Sequence, residues 1–160
     1  MKRILLMRHA KSDWDNTELT DHQRTLNKRG KRDAPIMASR IKEYNIIPEI
    51  MLVSDAARTR ETWELINETL DVSQTKFDSE LYLASSSTII EKLKEVDDII
   101  DTVLLLAHNP GITSVFYDLA GVRIDNVPTA GVGCIQFNTD RFSEIENCEK
   151  ELIYFTYPKA

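Results

Sequence analysis

The sequence predicts an α/β fold: a three-layer αβα sandwich whose central sheet is mostly parallel, with an antiparallel edge strand. Short apolar runs alternate with longer segments of helical periodicity through most of the chain, the pattern of strands joined by crossover helices. The early runs are continuous rather than alternating, as expected of strands covered on both faces. The last two runs, 131–137 and 151–156, have only the irregular stretch 138–150 between them, which suits an antiparallel hairpin at the sheet edge.

In chain order, Ile4–Met7 is the first buried strand, and residues 8–26 are polar and irregular. A helix begins near Asn27, with Ala34, Met37, Ala38, Ile41 and Tyr44 on one stripe; Pro35 inside it marks a kink or the first turn. Glu49–Val53 reads as the second strand. Thr59, Thr62, Trp63, Ile66 and Leu70 then line one face of a strong helix. Leu81–Leu83 is a short segment without clear type. Ser87–Val96 reads as a helix with Ser87 available as its cap. Thr102–Ala107 is the third apolar strand. Asn109-Pro110 fits an N-cap followed by proline at the first helical position, and Gly121 stops the helix that continues over Ile112–Ala120.

With 160 residues and no repeat, linker or low-complexity tract, the chain is expected to form a single domain, 1–160. Acidic residues number 26 and basic ones 20, a formal charge of −6, which argues against a nucleic-acid or anionic-membrane partner. The longest apolar runs are far too short to span a bilayer. The N-terminus carries no signal-peptide pattern, and Cys134 and Cys148 lack CxxC spacing; both point to a cytoplasmic location.

Ligands in such folds sit outside the carboxyl ends of the strands. Three strand ends here carry chemistry: Arg8-His9, then Ser54-Asp55-Ala56-Ala57-Arg58, then His108-Asn109-Pro110-Gly111. If the strands are parallel neighbours, two histidines and two arginines converge in one crevice, with two helix N-termini adding backbone N–H donors. A cationic pocket on an acidic chain suits phosphate, whose oxygens pair bidentately with guanidinium. His22 lies in a polar loop without an evident partner.

These segments resemble the histidine phosphatase superfamily, whose founding branch includes the phosphoglycerate mutases. Arg8-His9-Ala10-Lys11-Ser12 resembles its Arg-His-Gly signature, and Arg24-Thr25-Leu26-Asn27-Lys28-Arg29-Gly30 its RPLxxxG element. Ser54-Asp55-Ala56-Ala57-Arg58 with Thr62 resembles SPxxRxxQT, and Val103–Gly111 the strand ending in GHNPG; Thr129-Ala130-Gly131 also falls at a familiar place. The motifs occur in order over nearly the whole chain, which is similar in particular to the short SixA-type branch of phosphohistidine phosphatases. The resemblance implies a phosphoglycerate mutase-like fold. It also implies a phosphorylated histidine at His9, phosphate-binding arginines at Arg8 and Arg58, a second active-site histidine at His108, and a further phosphate-side arginine at Arg24. The chain departs from the pattern at Ala10 and Ala107, which replace glycines, and at Thr25 and Asp55, which replace prolines. Asp15 stands where mutase-like members have a phosphate-binding asparagine, so that role is not carried over to it, and Asn16 could take it only if the loop differs.

The expected reaction is phosphoryl transfer to His9 followed by hydrolysis, with Arg8, Arg58 and His108 on the equatorial oxygens and no metal or other cofactor. The proton donor for the leaving group is open. Glu80 is the best candidate by order in the chain, with Asp13, Asp15 and solvent as alternatives. A phosphohistidine substrate relaxes that demand, because its leaving imidazole is readily protonated. The expected partner is therefore a phosphorylated protein or a small phosphorylated substrate, with the protein favoured. A phosphatase of small phosphate esters and a non-catalytic phospholigand-binding module are the alternatives.

Overall fold

The computed structural model describes all residues, Met1–Ala160. Six strands form one sheet in the order β3-β2-β4-β1-β5-β6. They are β1 (Lys2–Arg8), β2 (Ile50–Ser54), β3 (Gln74–Asp78), β4 (Thr102–Ala107), β5 (Val132–Phe137) and β6 (Lys150–Thr156). The β1–β4, β2–β4 and β2–β3 pairs are parallel, while β5 runs antiparallel to both β1 and β6. A single strand thus opposes the other five, and it carries the antiparallel edge strand β6. The sheet is mostly parallel with an antiparallel edge, in agreement with the sequence.

Four helices cover it: α1 (Lys28–Glu43), α2 (Ala57–Leu70), α3 (Ser86–Lys94) and α4 (Gly111–Ala120). Because side chains alternate along a strand, β1 feeds two cores. Ile4 and Leu6 pack with Ile89, Leu93, Phe116 and Leu119 of α3 and α4 on one face. Leu5 and Met7 pack with Met37, Ile41, Ile66 and Leu70 of α1 and α2 on the other. Burial on both faces explains why β1 and β4 read as unbroken apolar runs.

Three local expectations change. Gln74–Asp78 is a strand that the sequence does not announce; all but Phe77 are polar and none is fully buried, because β3 is a sheet edge. The cap of α3 is Ser85, whose side chain accepts from the Thr88 N–H, not Ser87. Helix α4 begins at Gly111, one residue later than the Asn109 cap implies, and Asn109 Oδ1 instead accepts from the Thr113 N–H at 3.2 Å. Pro35 lies in the second turn of α1 without ending it.

Candidate active site

The order β2-β4-β1 sets the three chemistry-bearing strand ends side by side. Their parallel register aligns Arg8 with Ala107 across β1 and β4, and Val53 with Leu106 across β4 and β2. His9, Ser54 and His108 therefore leave the sheet at one edge. Arg58 arrives from the first turn of α2, and the structure brings all four expected residues into one crevice.

His9 is 6% exposed and held by its backbone on three sides. Its N–H donates to the Ala107 carbonyl, its own carbonyl accepts from the Ala130 N–H, and the following Ala10 N–H donates to Thr62 Oγ1 at 3.1 Å. Thr62 Oγ1 in turn donates to the Arg58 carbonyl, so the threonine of the Arg58–Thr62 motif ties the histidine segment to α2. Helix α1 is pressed against the same segment: a Cβ on Gly30 would lie 2.2 Å from the Lys11 carbonyl oxygen, so only glycine fits there.

The His9 ring has a defined tautomer. Nδ1 lies 2.7 Å from the Ala10 carbonyl, which can only accept, so Nδ1 carries the proton and Nε2 the free lone pair. Arg58 Nε–H donates to that lone pair at 3.3 Å. Burial, together with the charges of Arg58, Arg8 and Arg24, lowers the His9 pKa to about 3, outweighing the opposite pull of the Ala10 carbonyl.

His108 is 5.3 Å from His9 between ring centroids, and its Nε2 lies 2.7 Å from Ser54 Oγ. Ser54 Oγ also accepts from the Ala56 N–H at 3.5 Å. Nδ1 of His108 is buried and without a partner. Burial, followed by the fields of His9, Arg58 and Arg8, lowers its pKa to about 3 as well. Arg8 donates from one terminal nitrogen to the Val127 carbonyl at 3.0 Å, while its buried Nε is unpartnered. An unsatisfied buried donor of this kind is costly in a native fold and marks a place made for an acceptor.

The structure adds members that the sequence did not single out. Asp21 Oδ1 accepts from Arg24 Nε at 3.2 Å and from its terminal nitrogen at 2.9 Å. Asp21 Oδ2 accepts from an Arg58 terminal nitrogen at 3.1 Å and from the Tyr82 hydroxyl. The other terminal nitrogen of Arg58 donates to the Asp21 carbonyl at 2.7 Å. Burial alone would raise the Asp21 pKa, but the hydrogen bonds from Tyr82, Arg24 and Arg58 hold it well below the usual carboxylate range. Arg24 also donates to Ser12 Oγ at 2.7 Å and lies beneath the exposed Trp14 ring, 3.4 Å from its centroid. The Asp21-x-x-Arg24 spacing was the one available signal for this pair.

Glu80 stands outside this network. Its side chain is 70% exposed and its carboxylate is 2.9 Å from Lys92 of α3, which also holds Asp78 at 3.1 Å. Tyr82, two residues further on, enters the site instead. Asp13 and Asp15 are tied to each other in a local turn, Oδ1 of Asp13 accepting the Asp15 N–H at 2.8 Å; Asn16 likewise caps the Glu18 N–H. His22 does have a partner: its Nε2 is 2.9 Å from Asp55 Oδ1, edge-on to Tyr82. No cluster of three or more His, Cys, Asp or Glu side chains is placed to hold a metal ion. No helix is long and apolar enough to cross a membrane.

A crevice with a lone-pair imidazole, a second imidazole and three guanidiniums at the carboxyl ends of parallel strands can bind a tetrahedral oxyanion and offer it a nucleophile. Comparison with known proteins defines the class. Residues 4–82 match the family described as histidine phosphatase superfamily, branch 1, and the chain belongs to that superfamily. Within it, the chain is of the SixA type. A SixA-named protein of Agrobacterium tumefaciens is 25% identical, covers 98% of both chains and superposes with a TM-score of 0.85. The protein histidine phosphatase SixA complexed with tungstate shares the fold at 19% identity, covering 98% of this chain and 97% of its own, with a TM-score of 0.84. An uncharacterized chloroplast protein of Arabidopsis thaliana is 32% identical over 135 residues, 77% of this chain, and this chain spans 61% of its length.

Proposed function

We propose that this chain is a phosphohistidine phosphatase acting on a phosphorylated protein, with His9 Nε2 as the nucleophile. The observation that carries the reading is the Nδ1–H bond to the Ala10 carbonyl, which leaves the lone pair on the nitrogen facing Arg58. In the first step that lone pair attacks phosphorus. The bond from phosphorus to the substrate breaks, and its electron pair and a proton from solvent go to the leaving group. In the second step water attacks the phosphohistidine, releasing phosphate and restoring neutral His9. Arg8, Arg58, Arg24 and His108 bind the phosphoryl oxygens, so that the arginine cations balance their charge. A protein of the same fold is complexed with tungstate, a tetrahedral oxyanion, which is in keeping with an oxyanion ligand for this chain.

The substrate class follows from the proton donor. An alkoxide leaving group needs a positioned acid, whereas Glu80 is engaged with Lys92, and Asp21 is held ionised by two arginines. An imidazole leaving group does not make that demand. The reading takes residues 1–160 as one catalytic domain in the cytoplasm, where both cysteines remain free thiols. The test is hydrolysis of a phosphohistidine peptide against an alkyl phosphate. We expect the peptide to be preferred by at least 100-fold in kcat/KM, with EDTA changing neither rate. Equal rates on both would favour a small-ester phosphatase, and no turnover of any donor would favour a binding module.

A further inference from the structure

A cleft of about 400 Å³ lies between the start of α1 and the C-terminal segment. Ile36, Pro128 and Tyr157 line it together with Arg29, Arg32 and Lys159. All three cations are exposed. The one carboxylate in the cleft is Asp33, which is buried between Arg29 at 3.6 Å and Arg32 at 3.2 Å. Three cations against one carboxylate leave the cleft positive on a chain whose formal charge is −6. On the far side of Lys28 the surface differs, because Asp13 and Asp15 line it together with Lys28, Arg29 and Lys31. The positive face is therefore the one toward Lys159.

Two further observations bear on this cleft. It adjoins the nucleophile: Arg29 donates to Thr129 Oγ1 at 3.4 Å, and the next residue, Ala130, donates its N–H to the His9 carbonyl. Val127, two residues before Thr129, supplies the carbonyl that holds Arg8. Arg29 also sits where the helix disfavours a cation. The first turn of α1 contains Lys28, Arg29 and Lys31 and no acidic residue, so these charges oppose the positive end of the helix dipole. A local preference broken beside a reactive residue points to a use for the charge.

The geometry points to this cleft as the docking groove for an acidic segment of the substrate protein, lying next to the phosphorylated side chain in its sequence. The inference rests on the phosphoprotein reading above and names what that protein presents. Exposed arginine and lysine steer a negative segment, and the apolar lining takes its aliphatic side chains. Screening by salt weakens such docking, while the reaction at His9 itself does not depend on it.

The experiment compares two synthetic phosphohistidine peptides of equal length, one flanked by Asp and Glu and one by Ser and Gly, with phosphoimidazole as a small donor. On the wild type at low salt, kcat/KM for the acidic peptide is expected to be about tenfold higher, carried in KM, and the advantage to vanish in roughly 0.5 M salt. Arg32→Glu with Lys159→Glu should abolish or invert the preference and leave phosphoimidazole unchanged. Lys159→Glu alone, which disturbs no ion pair of Asp33, should show a smaller loss in the same direction. Equal kcat/KM for the two peptides on the wild type, or a preference that survives both reversals, would overturn the groove while leaving the phosphoprotein reading intact. Turnover of phosphoimidazole but of neither peptide would overturn both.

Discussion

The floor of the crevice and its rim are built on different principles. The floor consists of His9, His108, Ser54 and Arg58, which sit directly at strand ends or in the first turn of a helix and are all less than 10% exposed. The rim consists of Asp21, Arg24, Tyr82 and Trp14 from loops, where Asp21 has a side chain 42% exposed and Trp14 is 66% exposed. Floor residues are positioned by the sheet and by backbone hydrogen bonds. Rim residues are positioned by side-chain bonds, through the Asp21 carboxylate that Arg24 shares with Arg58 of the floor. In the proposed mechanism the floor holds the reacting atoms, and the rim tunes how tightly the anion is gripped.

The largest effect short of losing His9 should come from the floor. Arg58→Ala removes the donor to His9 Nε2 and the anchor of Asp21 together, and kcat/KM should fall about 10²- to 10³-fold, as for a lost oxyanion donor. A fall below tenfold would mean that the floor is not rigid in the sense described.

Acidity separates the two regions next. In the proposed mechanism neutral His9 is the reactive form; burial lowers its pKa to about 3, so kcat/KM should show no His9 limb between pH 8 and 4 and should fall only as pH drops through about 3. A limb near the ordinary histidine value would show that the imidazole is solvated. Stability changes over a different window. Unfolded histidine binds a proton below roughly pH 6.5, while buried His9 and His108 do not until about pH 3. Stability is thus lost as pH falls from 6.5 toward 3, by an amount on the order of a few kcal/mol per histidine. The melting midpoint should fall between pH 7 and 4.5, and by less in His9→Gln.

On the rim, Asp21→Asn keeps the shape but not the charge that holds Arg24 and Arg58 together. We expect about a tenfold rise in KM with kcat changed less than threefold, the scale of a charged hydrogen bond at a partly exposed site. A loss as large as that of Arg58→Ala would place Asp21 with the floor. The smallest effect belongs to Glu80→Gln, under twofold on a phosphohistidine peptide, because its carboxylate engages Lys92. A tenfold loss confined to an alkyl phosphate would restore Glu80 as the acid for esters.

The same division explains what was legible in the sequence. Apolar runs locate β1, β2 and β4, and a parallel sheet then requires that Arg8-His9, Arg58 and His108 share an edge. Nothing local signals that Asp21 would meet Tyr82, 61 residues away. Tyr82 reaches it because Gln74–Asp78 adds an edge strand whose polar residues lack strand periodicity, and that strand delivers the next loop to the crevice. Glu80 attracted attention through its order in the chain, yet the loop turns it toward α3. Gly30 was visible only as part of a motif; its physical reason, the approach of α1 to Lys11, needs the tertiary structure.

The most direct test of the account is to trap the phosphoenzyme. Wild-type protein is incubated briefly with a radiolabelled phosphohistidine peptide, quenched, and examined for label that survives alkali and is lost in acid. The account predicts such label on a peptide containing His9, and none on His9→Ala. Label of the same stability persisting on His9→Ala, or turnover at the wild-type rate without His9, would contradict it.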